Sequence, residues 1–187
     1  MKTHFLSALT VAALLASGGA AAQNLRMSTY LGASGGVSSW NADCAGTTDC
    51  KKNPGSLRIF AGMDIVPNVA LELTYASLGK LKATAAGVPI DIRGDSFDLS
   101  GVYKFGSDYS SLGAFVKGGV AYTNAKSTVA GVSDTKKAWG LLLGAGMTYA
   151  LTPNVALRAE IDTQNVKVPG GTSGNVTSFS VGGQASF

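Results

Sequence analysis

Phe97-Asp98-Leu99-Ser100-Gly101-Val102-Tyr103-Lys104-Phe105 sets Phe97, Leu99, Gly101, Tyr103 and Phe105 against Asp98, Ser100, Val102 and Lys104. Residues i and i+2 share one face of a strand, so period two predicts a strand with one apolar and one more polar face. The pattern recurs along the chain. Leu57, Ile59, Ala61, Met63 and Ile65 alternate with Arg58, Phe60, Gly62 and Asp64, and Val69, Leu71, Leu73 and Tyr75 with Ala70, Glu72, Thr74 and Ala76. Segments 114–122, 141–149, 155–162 and 179–187 repeat it, and a weaker first strand spans about 27–35. Each segment holds about ten residues, the length a tilted strand needs to cross a bilayer.

Composition agrees. Of 187 residues 45% are hydrophobic and 14% charged, against about 25% charged in an ordinary soluble domain. That excludes a disordered chain. A net charge of +4, small and scattered, gives no footprint for nucleic acid. The one long apolar run, Phe5 to Ala16, is twelve residues, short of the roughly 20 a membrane helix needs. With the basic Met1–His4 head and Ala20-Ala21-Ala22 before Gln23, it reads as a cleaved signal peptide over 1–22, leaving a barrel domain over 23–187. Its removal takes away His4, the only histidine, and with it Ser-His-Asp and Cys-His catalysis and the usual zinc sites. No catalysis, cofactor or metal is expected.

The expected fold is all-β: an eight-stranded antiparallel up-and-down transmembrane β-barrel. Twelve strands would overrun the 165 residues left when 22 are removed from 187, and bacterial membrane barrels have an even strand number. Small residues on the second face make room for long charged ones in a narrow lumen. Short connections at 66–68, 105–111 and 151–154 alternate with longer polar stretches near 37–56, 80–91, 123–137 and 166–175, the asymmetry of periplasmic turns and outer loops. Pro67-Asn68-Val69-Ala70-Leu71 recurs as Pro153-Asn154-Val155-Ala156-Leu157. Tyr103, Phe105, Tyr149 and Phe187 gather by the short turns, and Tyr122, Trp139 and Phe179 towards the long loops, as two interfacial belts would. Alternation alone does not say which face points inward. A secreted ligand-binding barrel would put the apolar face inside, and the belts and loop asymmetry favour the membrane.

Arg58, Glu72, Asp98, Lys117, Arg158, Glu160 and Asp162 share the polar face. Charges inside a barrel should pair, because an unpaired buried charge is costly. They are read as a lumen ionic network acting as a structural plug, the alternative being a low-conductance pore for ions or small solutes. Cys44 and Cys50, the only cysteines, are expected to form a disulfide in an oxidising compartment. Lys80, Lys82, Lys126, Lys136 and Lys137 fall in the long stretches. They are read as solvated loop tips or as attracting lipopolysaccharide or a host surface polymer.

Tyr30-Leu31-Gly32-Ala33, the run from Phe60-Ala61-Gly62 through Pro67-Asn68-Val69-Ala70-Leu71-Glu72 to Leu78-Gly79-Lys80, and Leu151 to Arg158 resemble the outer-membrane β-barrel family typified by the transmembrane domain of outer membrane protein A. Ser180, Gly182, Ala185 and Phe187 look like the C-terminal signal that the outer-membrane assembly machinery reads. The resemblance implies that Glu72, Arg158, Glu160 and Lys117 belong to an interior ionic network. Ser100 stands where the family's fourth strand has a lysine and Thr148 where the sixth has a carboxylate, which puts the family's proposed gate in doubt. The resemblance also implies a monomer in the outer membrane of a Gram-negative bacterium, surrounded by outer-membrane lipid and lipopolysaccharide. Its expected role is structural or surface-interactive, in adhesion or envelope integrity, with a possible host or surface ligand on the long loops.

Overall fold

The computed structural model describes residues 28–41, 47–51, 53–85, 88–105, 111–129, 132–167 and 173–187. The expected signal peptide and Cys44 lie outside them. Among the described residues nine strands follow in chain order: β1 (Thr29–Trp40), β2 (Thr47–Lys51), β3 (Gly55–Val66), β4 (Val69–Ala85), β5 (Val88–Phe105), β6 (Leu112–Val129), β7 (Val132–Thr152), β8 (Val155–Lys167) and β9 (Ser173–Ser186). Every pairing is antiparallel, and β1, β3, β4, β5, β6, β7, β8 and β9 close into an up-and-down barrel of eight strands, with β9 returning to β1. The short β2 lies outside that cycle and extends the sheet along the far end of β4, with Thr47 opposite Ala85.

The wall has the polar face inside. Arg58, Glu72, Asp98, Lys117, Arg158, Glu160 and Asp162 are all buried, whereas Leu57, Leu73, Leu99, Val116, Leu157 and Ile161 face outward at 44–60% exposure. Apolar side chains cover the outside on every barrel strand, a far larger continuous apolar surface than a soluble monomer tolerates. That removes the secreted-barrel reading and makes the outer face the lipid face.

The strands are longer than the alternation suggests. β4, β5, β6 and β7 run 17, 18, 18 and 21 residues. The stretches 80–91 and 123–137, read above as loops, are mostly strand, and so are Val37–Trp40 and Ser173–Asn175. The reason is physical. Beyond the hydrocarbon, water wets the outer face, so polar residues stand there without disturbing the backbone ladder, and the hydropathy signal of a strand fades although the strand continues.

One irregularity resets the parity of β4. Gly79 has φ +77°, and between Ser77 opposite Asp95 and Lys80 opposite Arg93 the β4 strand carries one residue more than β5. This bulge lets Leu78 and Leu81 both point inward and leaves Lys80 exposed. Among the short turns, Asn68 adopts left-handed φ 67°, a conformation Asn tolerates well. In the second Pro-Asn turn the Thr152 hydroxyl accepts from the backbone N–H groups of Asn154 and Val155 at 3.3 and 3.0 Å.

Candidate functional site: the barrel lumen

The inward residues stack in layers along the barrel axis. At the short-turn mouth Lys104 pairs with Asp64, and its ammonium stands 5.1 Å from the Tyr30 ring centre. Next come Tyr30, Phe60, Ala70, Val102 and Phe115, packed together. Three glycines make the rings possible. A Cβ at Gly62 would lie 2.2 Å from the Tyr30 ring, one at Gly32 2.3 Å from Phe60, and one at Gly146 2.3 Å from Phe115.

The charged layer rests on these rings. The Arg158 guanidinium lies 4.3 Å from the ring centres of both Phe60 and Phe115, the stacking that suits its weakly hydrated planar cation. It binds Glu72 through two parallel contacts, Nη1–Oε2 at 2.7 Å and Nη2–Oε1 at 3.1 Å, and donates from Nε to Glu160 at 2.8 Å. The Tyr30 hydroxyl donates to Glu72 at 2.9 Å. Lys117 Nζ reaches Glu160 at 3.0 Å and Glu72 at 3.7 Å. Arg58 donates to Glu160 at 2.8 Å and to Asp162 Oδ1 at 2.6 Å. Five of these residues form a chain from Asp162 through Arg58, Glu160 and Arg158 to Glu72, with Lys117 bridging the two glutamates.

Thus six of the seven charges expected in the lumen come together, and the seventh does not. Asp98 is buried, yet among the described residues no cation lies within 4.0 Å of it, and its Oδ1 has no hydrogen-bond partner. Asp98 lies opposite Thr74 and Ala121, one inward step further from the short turns than the Glu72–Ser100 pair. Ser100 donates to the Glu72 carbonyl at 3.5 Å and supplies no charge at that height.

Towards the long-loop end the lumen turns apolar again. Trp40, Ala76, Leu78, Leu81, Ala125, Val166 and Val176 form a buried cluster against which Ile92 packs. The Trp40 indole N–H donates to the Leu78 carbonyl at 3.4 Å, and its ring occupies the space facing Gly94. Neither this plug nor the Tyr30–Phe60–Phe115 layer was found from the sequence as lumen filling. Trp40 fell in an expected loop, and an aromatic residue fits either face of a membrane barrel. The Lys104–Asp64 pair was also missed as a pair, although both residues carried the polar parity.

Of the C-terminal residues, Ser180 is buried against Ser34, its hydroxyl accepting at 3.3 Å. Gly182 sits where a Cβ would lie 2.0 Å from the Ala33 carbonyl oxygen. Ala185 pairs with Leu31 and Val155, and exposed Phe187 donates its N–H to the Thr29 carbonyl at 2.8 Å. Cys50 lies in β2 and Cys44 outside the described residues, so their pairing remains to be proposed. Among the described residues no group of three His, Cys, Asp or Glu is placed to hold a metal.

The family model for the outer membrane protein beta-barrel domain matches residues 8–187. No curated protein matches the chain. Solved structures share the fold. Neisserial surface protein A is 21% identical, covering 86% of this chain and 97% of its own, with a TM-score of 0.64. The N-terminal β-barrel domain of Pseudomonas aeruginosa OprF is 19% identical, with coverage of 86% and 97% and a TM-score of 0.60. The attachment invasion locus protein Ail of Yersinia pestis, solved with the heparin analogue sucrose octasulfate, is 15% identical, with coverage of 87% and 100% and a TM-score of 0.61. With a family match over nearly its whole length, a lipid-facing apolar wall and a charged lumen, the chain belongs to the outer membrane protein β-barrel domain family and is a small eight-stranded barrel of the Gram-negative outer membrane.

Proposed function

We propose that this barrel serves a structural or surface-interaction role in the envelope, performs no catalysis and conducts no solutes. The observation that carries the reading is the filled lumen. Along the axis the chain places the Tyr30–Phe60–Phe115 layer, the ionic layer and the Trp40–Leu78 plug one above another. From the short-turn mouth a cavity of about 190 Å³ reaches Arg158, and an ion going further would have to strip paired charges and then enter the apolar Trp40–Leu78 plug, each step being costly. What remains available for function is the wall beyond the bilayer, raised by the long β4–β7 hairpins. The role is exerted there, on lipid or on a partner at the cell surface. Adhesion fits this placement, and a heparin analogue is bound in the Ail structure.

We further propose that residues 1–22 are removed on export, that the 180–187 segment is read by the assembly machinery, that the barrel is a monomer, and that Cys44 and Cys50 form a disulfide. A thiol titration of denatured, unreduced protein should find no free thiol, and two would refute the bridge. The central test is planar-bilayer recording from purified protein whose compact, heat-modifiable gel form shows it folded. No unitary current steps are expected, and reproducible steps from that material would overturn the sealed-lumen reading.

A further inference from the structure

We infer that Lys80, Arg93 and Lys126 form a site on the outer wall for the phosphate groups of an outer-leaflet glycolipid. The inference rests on the surface reading above and deepens it by naming a ligand class and the residues that take it.

The three cations stand in one row across adjacent strands. Lys80 of β4 lies directly opposite Arg93 of β5, and Arg93 directly opposite Lys126 of β6. All three side chains are exposed on the outer face and, with Asp91 and Thr128, line a groove of about 240 Å³. Among the described residues none of the three cations forms an ion pair. Like charges directly opposite each other on a sheet repel, and in the groove Asp91 alone offsets the three cations, so a bound anion would relieve the row. The row also depends on the bulge. Were Gly79 paired in a regular ladder with no bulge, Lys80 would fall opposite Ile92 and point into the lumen.

The position of the row selects the source of the anion. Tyr75, Phe97, Tyr122 and Trp139 make a cross-strand aromatic row over β4–β7, with ring centres 4.9 Å apart for Tyr75–Phe97 and 5.0 Å for Tyr122–Trp139. Such a row marks the membrane interface. Arg93 and Lys126 stand four residues beyond Phe97 and Tyr122 on the same strands, about 13 Å along the chain at strand rise and about 10 Å in height after tilt. The cations therefore sit on the side of the wall, just above the hydrocarbon, and not at the loop tips where a soluble polymer would first meet the protein. At that height the groups in lateral contact with the wall are the phosphates of the lipopolysaccharide lipid anchor.

The test uses the whole refolded chain in vesicles of phosphatidylcholine alone, with bisphosphorylated lipid A, or with lipid A stripped of its phosphates. The readouts are lipid A retention and the temperature midpoint at which the compact gel form is lost. Bisphosphorylated lipid A should raise the wild-type midpoint and the stripped lipid should not. The triple variant Lys80→Gln, Arg93→Gln, Lys126→Gln should lose that rise and retain lipid A about tenfold less, the loss expected for three partly exposed charge-assisted contacts. In phosphatidylcholine alone the same variant should be at least as stable as wild type, because the like-charge row is gone. Should the triple variant not fold, Arg93→Gln alone removes the central member and makes the same comparison. An equal rise in variant and wild type would overturn the site, as would an equal rise with stripped lipid or a rise caused by soluble heparin and not by lipid A. Failure of the broader surface reading shows elsewhere, as current steps in the bilayer recording.

Discussion

Glu160 takes Arg58, Lys117 and Arg158 at once, and Glu72 takes Arg158, Lys117 and the Tyr30 hydroxyl. Removing either charge leaves cations that have exchanged water for these carboxylates. Glu160→Gln keeps the shape and should lower unfolding stability by about 3–5 kcal/mol, the range for breaking a buried pair from one side. Asp98→Asn makes the opposite comparison. Among the described residues this carboxylate has no cation within 4.0 Å, so neutralising it should cost less than about 1 kcal/mol or stabilise the barrel. Urea titration of both variants in detergent micelles, followed by tryptophan fluorescence, separates them, and similar losses would refute the assignment of partners. At this scale the sequence showed which face each charge occupies and not which charge meets which. Parity along a strand reports inside or outside. Partnership depends on height in the barrel, which the stagger between strands sets. Arg58 and Glu160 are 102 residues apart and share no local pattern.

The transmembrane portions of the eight strands could be read from their alternation because lipid and lumen impose opposite demands on successive side chains there. Above the bilayer that contrast vanishes. Leu78 and Leu81 are both inward across a bulge, while Lys80 between them is outward, so the 78–81 segment follows neither helical nor strand periodicity. The bulge makes a prediction of its own. A side chain at residue 79 would meet a strained left-handed φ and lie 2.3 Å from the Gly55 carbonyl oxygen. Gly79→Ala should destabilise the barrel by about 1–3 kcal/mol, the usual cost of such backbone strain. If Leu81 withdraws from the Trp40 plug as a result, tryptophan emission will shift to longer wavelength. An Ala variant with wild-type stability and emission would show that the bulge does not hold the plug together.

For the molecule as a whole, the lumen holds two apolar layers with charge between them. Opening one layer should therefore not open the barrel. Trp40→Ala should destabilise by about 3–5 kcal/mol, as for other buried tryptophans, and still give no current steps while the ionic layer stays paired. Current through this variant would place the only seal at Trp40. The inward glycines, abundant in the composition, mark where the rings of Tyr30, Phe60 and Phe115 are housed.

The seam between the first and last strands also decides when the protein can form. Ser34 meets Ser180 and Ser38 meets Ser178 across separations of 146 and 140 residues, and Arg158 meets Glu72 across 86. None of these partners is present until nearly the whole chain has been delivered. Until then the lumen charges need water and the first strand exposes an open edge. Contacts so distant in sequence make folding slow, and the interval before closure is when the chain is most exposed to aggregation or proteolysis. Ring closure, and with it the Ser34–Ser180 and Ser38–Ser178 contacts, therefore waits on the delivery of the last strand.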